Sequence, residues 1–192
     1  MLEMSMSPVK RLILETMWIV NKPAKAAEIA KEVGLGFPSV MMHIIGLTRM
    51  GCVDTPEKGY YVITEMGKKA LGFPKISEER AEKILAYLPA DKSFHFYADM
   101  GKPLNLYAAG LQDFCDKILK VDVGSIEFHL NRGDFAAWFT GLGDIELARK
   151  TLLFKEQKTS GEELRQKLYD IVKHRCEELA RIRQHSLQSS QT

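Results

Sequence analysis

Residues 25–71, KAAEIAKEVGLGFPSVMMHIIGLTRMGCVDTPEKGYYVITEMGKKAL, decide the fold of the first part of the chain. Apolar side chains recur at helical spacing over Ala26–Val33, and Gly34 and Gly36 follow as helix-ending residues. The stretch therefore begins with a short helix that stops at a tight turn.

A second helix is predicted directly after this turn. Pro38 suits a first helical turn, where the missing N–H of proline costs nothing. Val40, Ile44 and Leu47 lie three to four residues apart and form one apolar face, and Gly51 ends the pattern. We expect these three side chains to face a core and the opposite side of the helix to face solvent.

A β-hairpin is predicted after the second helix. Residues 52–55 are extended in character, residues 56–59 (Pro-Glu-Lys-Gly) form a turn signal, and residues 60–63 (Tyr-Tyr-Val-Ile) are aromatic and β-branched. Residues 64–71 have the character of the start of a further helix. With the predicted helix at residues 8–20, the first part of the chain reads as helices followed by a hairpin.

In order and spacing these elements resemble the winged helix-turn-helix modules of prokaryotic regulators. The resemblance implies a mainly α protein with a small β-hairpin wing. It also implies that the second helix of the helix-turn-helix lies in a groove of a nucleic acid. We expect this domain to span residues 1–72. Gly72, Phe73 and Pro74 mark its end, because Pro74 disfavours helical backbone at the residue before it.

Residues 73–192 are expected to form a mostly helical domain that dimerises, senses a ligand, or does both. A helix is predicted to start after Ser77 and to continue to Pro89, residues 93–97 could be a strand, and residues 160–184 form a long amphipathic helix. Short polar residues before apolar runs predict three helix caps, at Ser125, Asp134 and Asp144. Phe128 and Trp138 are expected in the core.

Four phrases in this half, FHFY (94–97), FHLNRGDFAAW (128–138), GDIELA (143–148) and GEELRQKL (161–168), resemble a largely archaeal domain family of unassigned function. That family also occurs behind winged-helix modules. The resemblance implies an archaeal source and a two-domain layout, and it supplies no mechanism.

The predicted groove-binding helix carries few groups that read bases. Its outward positions are expected to be Ser39, Met42, His43, Gly46 and Arg49, with Met41 and Ile45 at the flanks. Arg, Lys, Asn and Gln are the usual base-reading residues, and Arg49 is the only one of these in the helix. The sequence leaves two interpretations open: a weak or degenerate DNA binder, and a winged helix reused to bind protein.

Phosphate contacts would have to supply most of the affinity for DNA. Nine Lys and Arg side chains against seven acidic ones give residues 1–72 a net charge of +2, whereas residues 73–192 balance at eighteen of each. Lys58 in the wing turn is one candidate contact. Further candidates are Lys10, Arg11, Lys68 and Lys69.

A metal site or an acid–base site in the second half of the chain would have to use His95, His129, Arg132 and Asp134. Local zinc sites usually show histidines four residues apart or paired cysteines, and neither pattern occurs. No Walker, H-E-x-x-H, G-x-S-x-G or G-x-G-x-x-G motif is present. We therefore expect no catalytic residue, no metal and no cofactor. His95 and His129 are each preceded by Phe, and they are expected either to be buried and hydrogen-bonded or to line a ligand pocket.

Composition favours a globular cytoplasmic protein. The 192 residues are 45% hydrophobic and 27% charged, and no apolar run is long enough to cross a bilayer. Glu3 and Glu15 interrupt a signal-peptide pattern. Cys52, Cys115 and Cys176 are odd in number and widely spaced, so each is expected to be a reduced, partly buried thiol.

A homodimer is expected, because two joined half-site binders gain effective concentration. The expected seam is the apolar stripe of the last helix, with the first helix near Trp18 as an alternative. The stripe comprises Leu164, Leu168, Ile171, Cys176, Leu179 and Ile182.

Together these observations predict a DNA-binding transcriptional regulator of archaeal type that contacts double-stranded DNA. The alternative is an adaptor that binds protein or ribonucleoprotein through a winged helix without base readout. A third interpretation is a ligand-binding domain with incidental enzymatic function.

Overall fold

The computed structural model describes the backbone of residues 6–189 and the side chains of residues 6–184. The protein is mainly helical, with small antiparallel sheets. The chain divides into two compact units, Met1–Lys75 and Ile76–Thr192.

The first unit combines short helices with a three-stranded sheet. Its elements in chain order are α1 (Pro8–Val20), β1 (Ala24–Lys25), α2 (Ala26–Val33), α3 (Phe37–Arg49), β2 (Val53–Glu57), β3 (Tyr60–Ile63) and α4 (Glu65–Ala70). The strands are antiparallel and lie in the order β1-β3-β2.

The apolar periodicity of α3 predicts its buried face correctly. Val40, Ile44 and Leu47 have no exposed surface, and Pro38 lies in the first turn. α3 packs against α1, α2 and β2, so three neighbours hold it on one side. Its remaining side chains can therefore face solvent without cost to the core.

The first unit extends beyond the boundary that the sequence indicates at residue 72. The ring of Phe73 stacks on Trp18 of α1, with 4.7 Å between ring centroids. Both side chains are buried, at 5% and 1% exposure. Residues 73–75 therefore belong with the first unit, because moving them would uncover an aromatic contact of its core.

The second unit contains a hairpin and six α-helices among its described residues. The elements are α5 (Glu78–Leu85), β4 (Phe94–Asp99), β5 (Lys102–Ala108), α6 (Leu111–Ile118), α7 (Val123–Arg132), α8 (Asp134–Leu142), α9 (Ile145–Glu156) and α10 (Gly161–Ser189). β4 and β5 pair antiparallel, α7 packs on β4, and α6 packs on β5.

One expectation about the start of this unit is corrected, and one element is added. The predicted strand at residues 93–97 exists as β4, and it pairs with β5, which the sequence did not indicate. The helix from Ser77 ends at Leu85 rather than at Pro89. Leu88 instead donates its backbone N–H to the carbonyl of Ala109, at 2.7 Å, so the chain leaves the helix to bond with the residue after β5.

Of the three predicted caps, the structure supports the one at Asp144. Asp144 accepts a hydrogen bond from the N–H of Leu147 at 3.0 Å. Ser125 is not a cap, because it lies inside α7, which begins after Asp122; the Asp122 carboxylate accepts the N–H of Gly124. Asp134 is not a cap either, and its role is described below.

A buried ion cluster joins α9 to α10. The Arg175 guanidinium donates to Asp144 at 2.7 Å, to Glu146 at 2.9 Å and to Glu178 at 2.7 Å. Arg175 is 5% exposed and Asp144 is fully buried. The three carboxylates raise the pKa of Arg175 against the opposing effect of burial, so its charge is held in the folded state.

The apolar stripe of α10 is used inside its own unit, which contradicts its expected role as a dimer seam. Its members Leu164, Leu168, Cys176 and Leu179 are buried in the core, whereas Ile171 and Ile182 are partly buried against it. Trp18, named for the alternative seam on the first helix, is buried against Phe73, whereas Leu12 and Ile19 of that helix are exposed.

The three cysteines are free thiols and buried. Cys115 of α6 and Cys176 of α10 are adjacent, and the hydrogen bond between them, together with burial, raises the pKa of the Cys115 thiol. Burial also raises the pKa of Cys52. Within the described residues, no helix combines the length and apolar character needed to cross a membrane.

Candidate functional site

The exposed face of α3 is the first candidate surface. Of the side chains that the sequence assigns to it, Ser39, Met42 and Arg49 are exposed, and His43 is only partly exposed. Among the residues of this unit that the structure describes, Met42 is the most exposed large apolar side chain, at 64%. The structure therefore keeps three of these four residues on the outer surface and places His43 at its edge.

The outermost row of α3 is more apolar than the sequence indicates. Pro38, Met42, Ile45 and Arg49 recur every three or four residues on the side opposite the buried face, and all four are exposed. Ile45, expected at the flank, is 44% exposed. Arg49 is the member of this row that can fork onto a base or a phosphate.

Two lysines extend this surface within the first unit. Lys58 is exposed in the two-residue turn between β2 and β3. Lys10 of α1 lies across Gly46 of α3, where its Nζ would be 3.5 Å from an added Cβ, and it contacts Met50 Sδ at 3.6 Å. Because Gly46 has no side chain, the Lys10 ammonium can reach α3 beside the outer row.

Two of the other cations considered for phosphate contacts are already paired. Arg11 donates to Glu15 at 3.2 Å on the same helix. Lys68 is 8% exposed, and its Nζ lies 3.5 Å from Glu65. Lys69 remains exposed. Fewer cations are therefore available to a polyanion than the sequence suggests, because Arg11 and Lys68 would first have to leave their ion pairs.

The second candidate site is built around His129 in the second unit. His129 is 3% exposed. Its Nε2 accepts the backbone N–H of Tyr97 at 2.9 Å, so the ring proton lies on Nδ1. That Nδ1–H donates to Oδ2 of Asp134 at 2.7 Å. Both ring nitrogens are therefore engaged, which confirms the expectation of a buried, hydrogen-bonded histidine.

Asp134 faces His129 because of the turn between α7 and α8. Gly133 joins the two helices in the left-handed region, with φ +82°, a conformation that glycine adopts without strain. Asp134 is the first residue of α8 and makes no capping bond; its carboxylate also accepts Nε–H of Arg132 at 3.1 Å. Asp134 therefore accepts hydrogen bonds from two side chains of the preceding helix, His129 and Arg132.

His95 behaves differently from His129. It is exposed on β4, which contradicts a buried role, and its Nε2 donates to the carbonyl of Ala90 at 2.7 Å. Both histidines nevertheless line one cavity of about 330 Å³, here called the histidine pocket. Other residues lining it are Tyr97, Asp99, Met100, Phe128, Arg132 and Asp134.

The backbone N–H and the backbone carbonyl of Tyr97, which lies in the pocket wall, are both hydrogen-bonded to side chains. His129 accepts its N–H, and the hydroxyl of Ser125 donates to its carbonyl at 2.8 Å. Both partners come from α7. This explains why Ser125 is buried inside a helix, and it fixes β4 against α7 at the point where the pocket opens.

The electrostatics of the pocket keep His129 neutral near pH 7. Burial lowers its pKa, the hydrogen bond and charge of Asp134 oppose that effect, and the positive charge of Arg132 adds to it. A neutral ring with both nitrogens engaged has no lone pair left for a metal or a substrate proton. Among the described residues, no group of three or more His, Cys, Asp or Glu is placed to hold a metal ion.

Sequence reasoning missed Asp99 and Met100 as members of the pocket. They lie at the end of β4 and in the turn before β5, so their position depends on a hairpin that was not predicted. The available signal was the Asp-Met-Gly run at residues 99–101, because glycine in a short loop between extended segments is typical of hairpins.

Comparison with known proteins adds no relative to these observations: no protein-family model, no curated protein and no solved structure matches the chain.

Proposed function

We propose that the first unit is a winged helix-turn-helix that binds duplex DNA, and that the protein is a cytoplasmic transcriptional regulator of archaeal type. The observation that supports this most is the position of α3. It follows α2 after a short turn, is held on one face by Val40, Ile44 and Leu47, and leaves its opposite face exposed along its whole length. A helix held in this way can enter a major groove.

The charged groups of this surface suit phosphate binding better than base reading. Arg49 lies at the end of α3, Lys10 lies beside Gly46 in its last turns, and Lys58 lies in the hairpin turn. Each can meet a backbone phosphate, whereas among the exposed residues of α3 base-edge hydrogen bonds are open to Ser39, Arg49 and Thr48, whose hydroxyl already donates to the Ile44 carbonyl at 3.0 Å. The proposal is therefore a DNA binder with low sequence preference per chain.

The test is fluorescence anisotropy with a labelled duplex and single substitutions. Arg49→Ala and Lys58→Ala should each weaken binding to all duplex sequences to a similar degree. Lys120→Ala is the matched control, because it removes an exposed charge from the second unit and should leave binding unchanged. Equal binding by all three variants and the wild type would contradict the proposal.

Binding as a homodimer remains part of this proposal. A chain with one strong base-reading group on α3 gains specificity and affinity if a second copy reads a second half-site. Sedimentation of the protein at micromolar concentration should give twice the 21.8 kDa mass of the chain. A mass of 21.8 kDa would contradict the dimer. DNA binding by the single chain would still be tested by the anisotropy experiment.

A second candidate function is supported by the apolar side chains around α3. Phe37 and Met66 are each 51% exposed, in addition to Met42 and Ile45. Exposed methionines and aromatic residues are typical of adaptable protein contacts. On this account the unit is an adaptor that binds protein or ribonucleoprotein through α3.

Met42→Lys separates the two functions, because it adds a cation in the middle of the outer row. A phosphate-binding surface should bind duplex DNA more tightly after this change, with a steeper salt dependence. A surface that buries Met42 against a protein should lose its partner. Weaker DNA binding by Met42→Lys would favour the adaptor.

A further inference from the structure

We propose that the histidine pocket of the second unit binds a small zwitterion of the amino-acid type. Arg132 would hold the carboxylate, Asp99 would hold the ammonium group, and an apolar side chain would lie against Tyr97 and Phe128. This inference concerns the second unit alone and does not depend on DNA binding by the first.

Arg132 is held in place at the pocket wall by three neighbouring side chains. Its Nε–H donates to Asp134, its guanidinium lies over the ring of Phe128 at 5.2 Å from the centroid, and Nη1 contacts Sδ of Met100. Nη2 has no partner among the described residues. With Nε on Asp134 and Nη1 on Met100, Nη2 is the nitrogen left to donate to a ligand carboxylate, and the positive charge of the group strengthens that hydrogen bond.

The negative groups of the pocket favour a ligand that also carries a positive charge. Asp99 and Asp134 both line it, against the single guanidinium of Arg132. Asp134 is already bonded to His129 and Arg132. The carboxylate of Asp99 accepts the N–H of Met100 at 2.7 Å and lies 3.4 Å from Lys102, and these groups hold its pKa below the usual range. A phosphate would meet two carboxylates here, whereas an ammonium group beside Asp99 turns that repulsion into attraction.

The size and walls of the pocket fit a ligand of this class. Its volume of about 330 Å³ lies at the small end of the range of roughly 300–1,000 Å³ that is typical of ligand pockets. Aromatic side chains form much of its wall, including Tyr97 and Phe128. A single small molecule with charged groups at one end and an apolar body fits this combination.

Calorimetric titration of the full chain tests the charge requirement. The probes are L-phenylalanine, L-leucine and L-methionine, together with 3-phenylpropionate, which lacks the ammonium group, and phenethylamine, which lacks the carboxylate. At least one amino acid should bind saturably with a Kd below about 1 mM, and both truncated probes should bind at least tenfold more weakly than phenylalanine. No saturable binding by any amino acid, or equal binding by 3-phenylpropionate, would overturn the proposal.

Substitutions locate the binding in the pocket. Arg132→Gln and Asp99→Asn should each weaken amino-acid binding tenfold or more. Arg181→Gln and Asp170→Asn make the same chemical changes at exposed positions of α10 and should bind as the wild type does. Arg132→Lys keeps the charge but loses the planar guanidinium that lies over Phe128, so it should bind less well than the wild type. If Arg132→Gln melts early, Arg132→Lys and Asp99→Asn decide, and wild-type affinity in both would overturn the proposal.

Discussion

The imidazole of His129 and the carboxylate of Asp134 form a hydrogen-bonded pair across a helix junction, with Nδ1 2.7 Å from Oδ2. The two residues lie at the end of α7 and the start of α8, and Gly133 supplies the turn that brings them together. The pair fixes the ring tautomer, binds Arg132 through the same carboxylate, and shapes one wall of the histidine pocket.

Asp134→Ala should destabilise the protein by more than the loss of a helix cap. The substitution leaves the buried Nδ1–H of His129 without an acceptor, which costs about 1–3 kcal/mol. Asp122→Ala is the comparison, because Asp122 is a true cap and its loss costs about 1 kcal/mol. Urea unfolding of both variants measures the difference, and a smaller loss for Asp134→Ala than for Asp122→Ala would contradict this account of the pair.

Stability should fall as the pH drops below about 6.5, the ordinary pKa of histidine. Burial lowers the pKa of both His129 and His174 in the folded protein, so the unfolded chain binds these protons first. The loss of stability begins near the unfolded value and stops once the pH is below the folded value. NMR titration of the imidazole protons, assigned with a His174→Gln variant, should place the pKa of His129 below 6.5. A pKa above 6.5 would reverse the sign of this prediction.

Arg175→Met should be among the most destabilising single substitutions in the second unit. It leaves the buried carboxylates of Asp144 and Glu146 without the guanidinium that they contact, and breaking a buried pair in this way costs about 3–5 kcal/mol. Arg181→Met makes the same change at an exposed position of α10, where a loss within about 0.5 kcal/mol is expected. Denaturant unfolding curves of the two variants that coincide would show that the cluster does not stabilise the fold.

Trp138 should contribute less to the core than the sequence indicates. Its ring is only partly buried, and Nε1–H donates to the carbonyl of Lys92 at 3.0 Å. Phe114 is fully buried, so Phe114→Ala should cost about 3–5 kcal/mol, and Trp138→Ala should cost less. Thermal melts compare the two variants. A larger loss for Trp138→Ala would mean that the Trp138 ring is a core residue after all. Phe128 is likewise only partly buried and lines the pocket.

Local periodicity was enough to predict much of the first unit. Val40, Ile44 and Leu47 are neighbours on one helix, so their shared burial follows from spacing alone. The strand β1 was not predictable in this way, because Ala24 and Lys25 become a strand only by pairing with Tyr61 and Tyr60, far along the chain. Two residues carry no periodicity from which such a pairing could be inferred.

In the histidine pocket, too, short sequence phrases identified some residues, whereas others depend on contacts between distant parts of the chain. His95 and His129 were recognised as possible pocket residues because each follows Phe in a distinctive phrase. The role of Asp134 was misjudged, because a short polar residue before an apolar run is usually a cap. Its partner His129 belongs to the preceding helix, and the distance between them depends on the turn at Gly133. Asp99 lines the pocket because of the β4–β5 hairpin, which the sequence did not predict.

The salt dependence of duplex binding by the wild-type protein tests DNA binding by the first unit most directly. If Lys10, Arg49 and Lys58 each meet a phosphate, the logarithm of the binding constant should fall with the logarithm of salt concentration with a slope of roughly −3 per chain. Arg49→Ala should flatten that slope by about one unit. Duplex binding that does not change with salt, or no binding at low salt, would contradict the account.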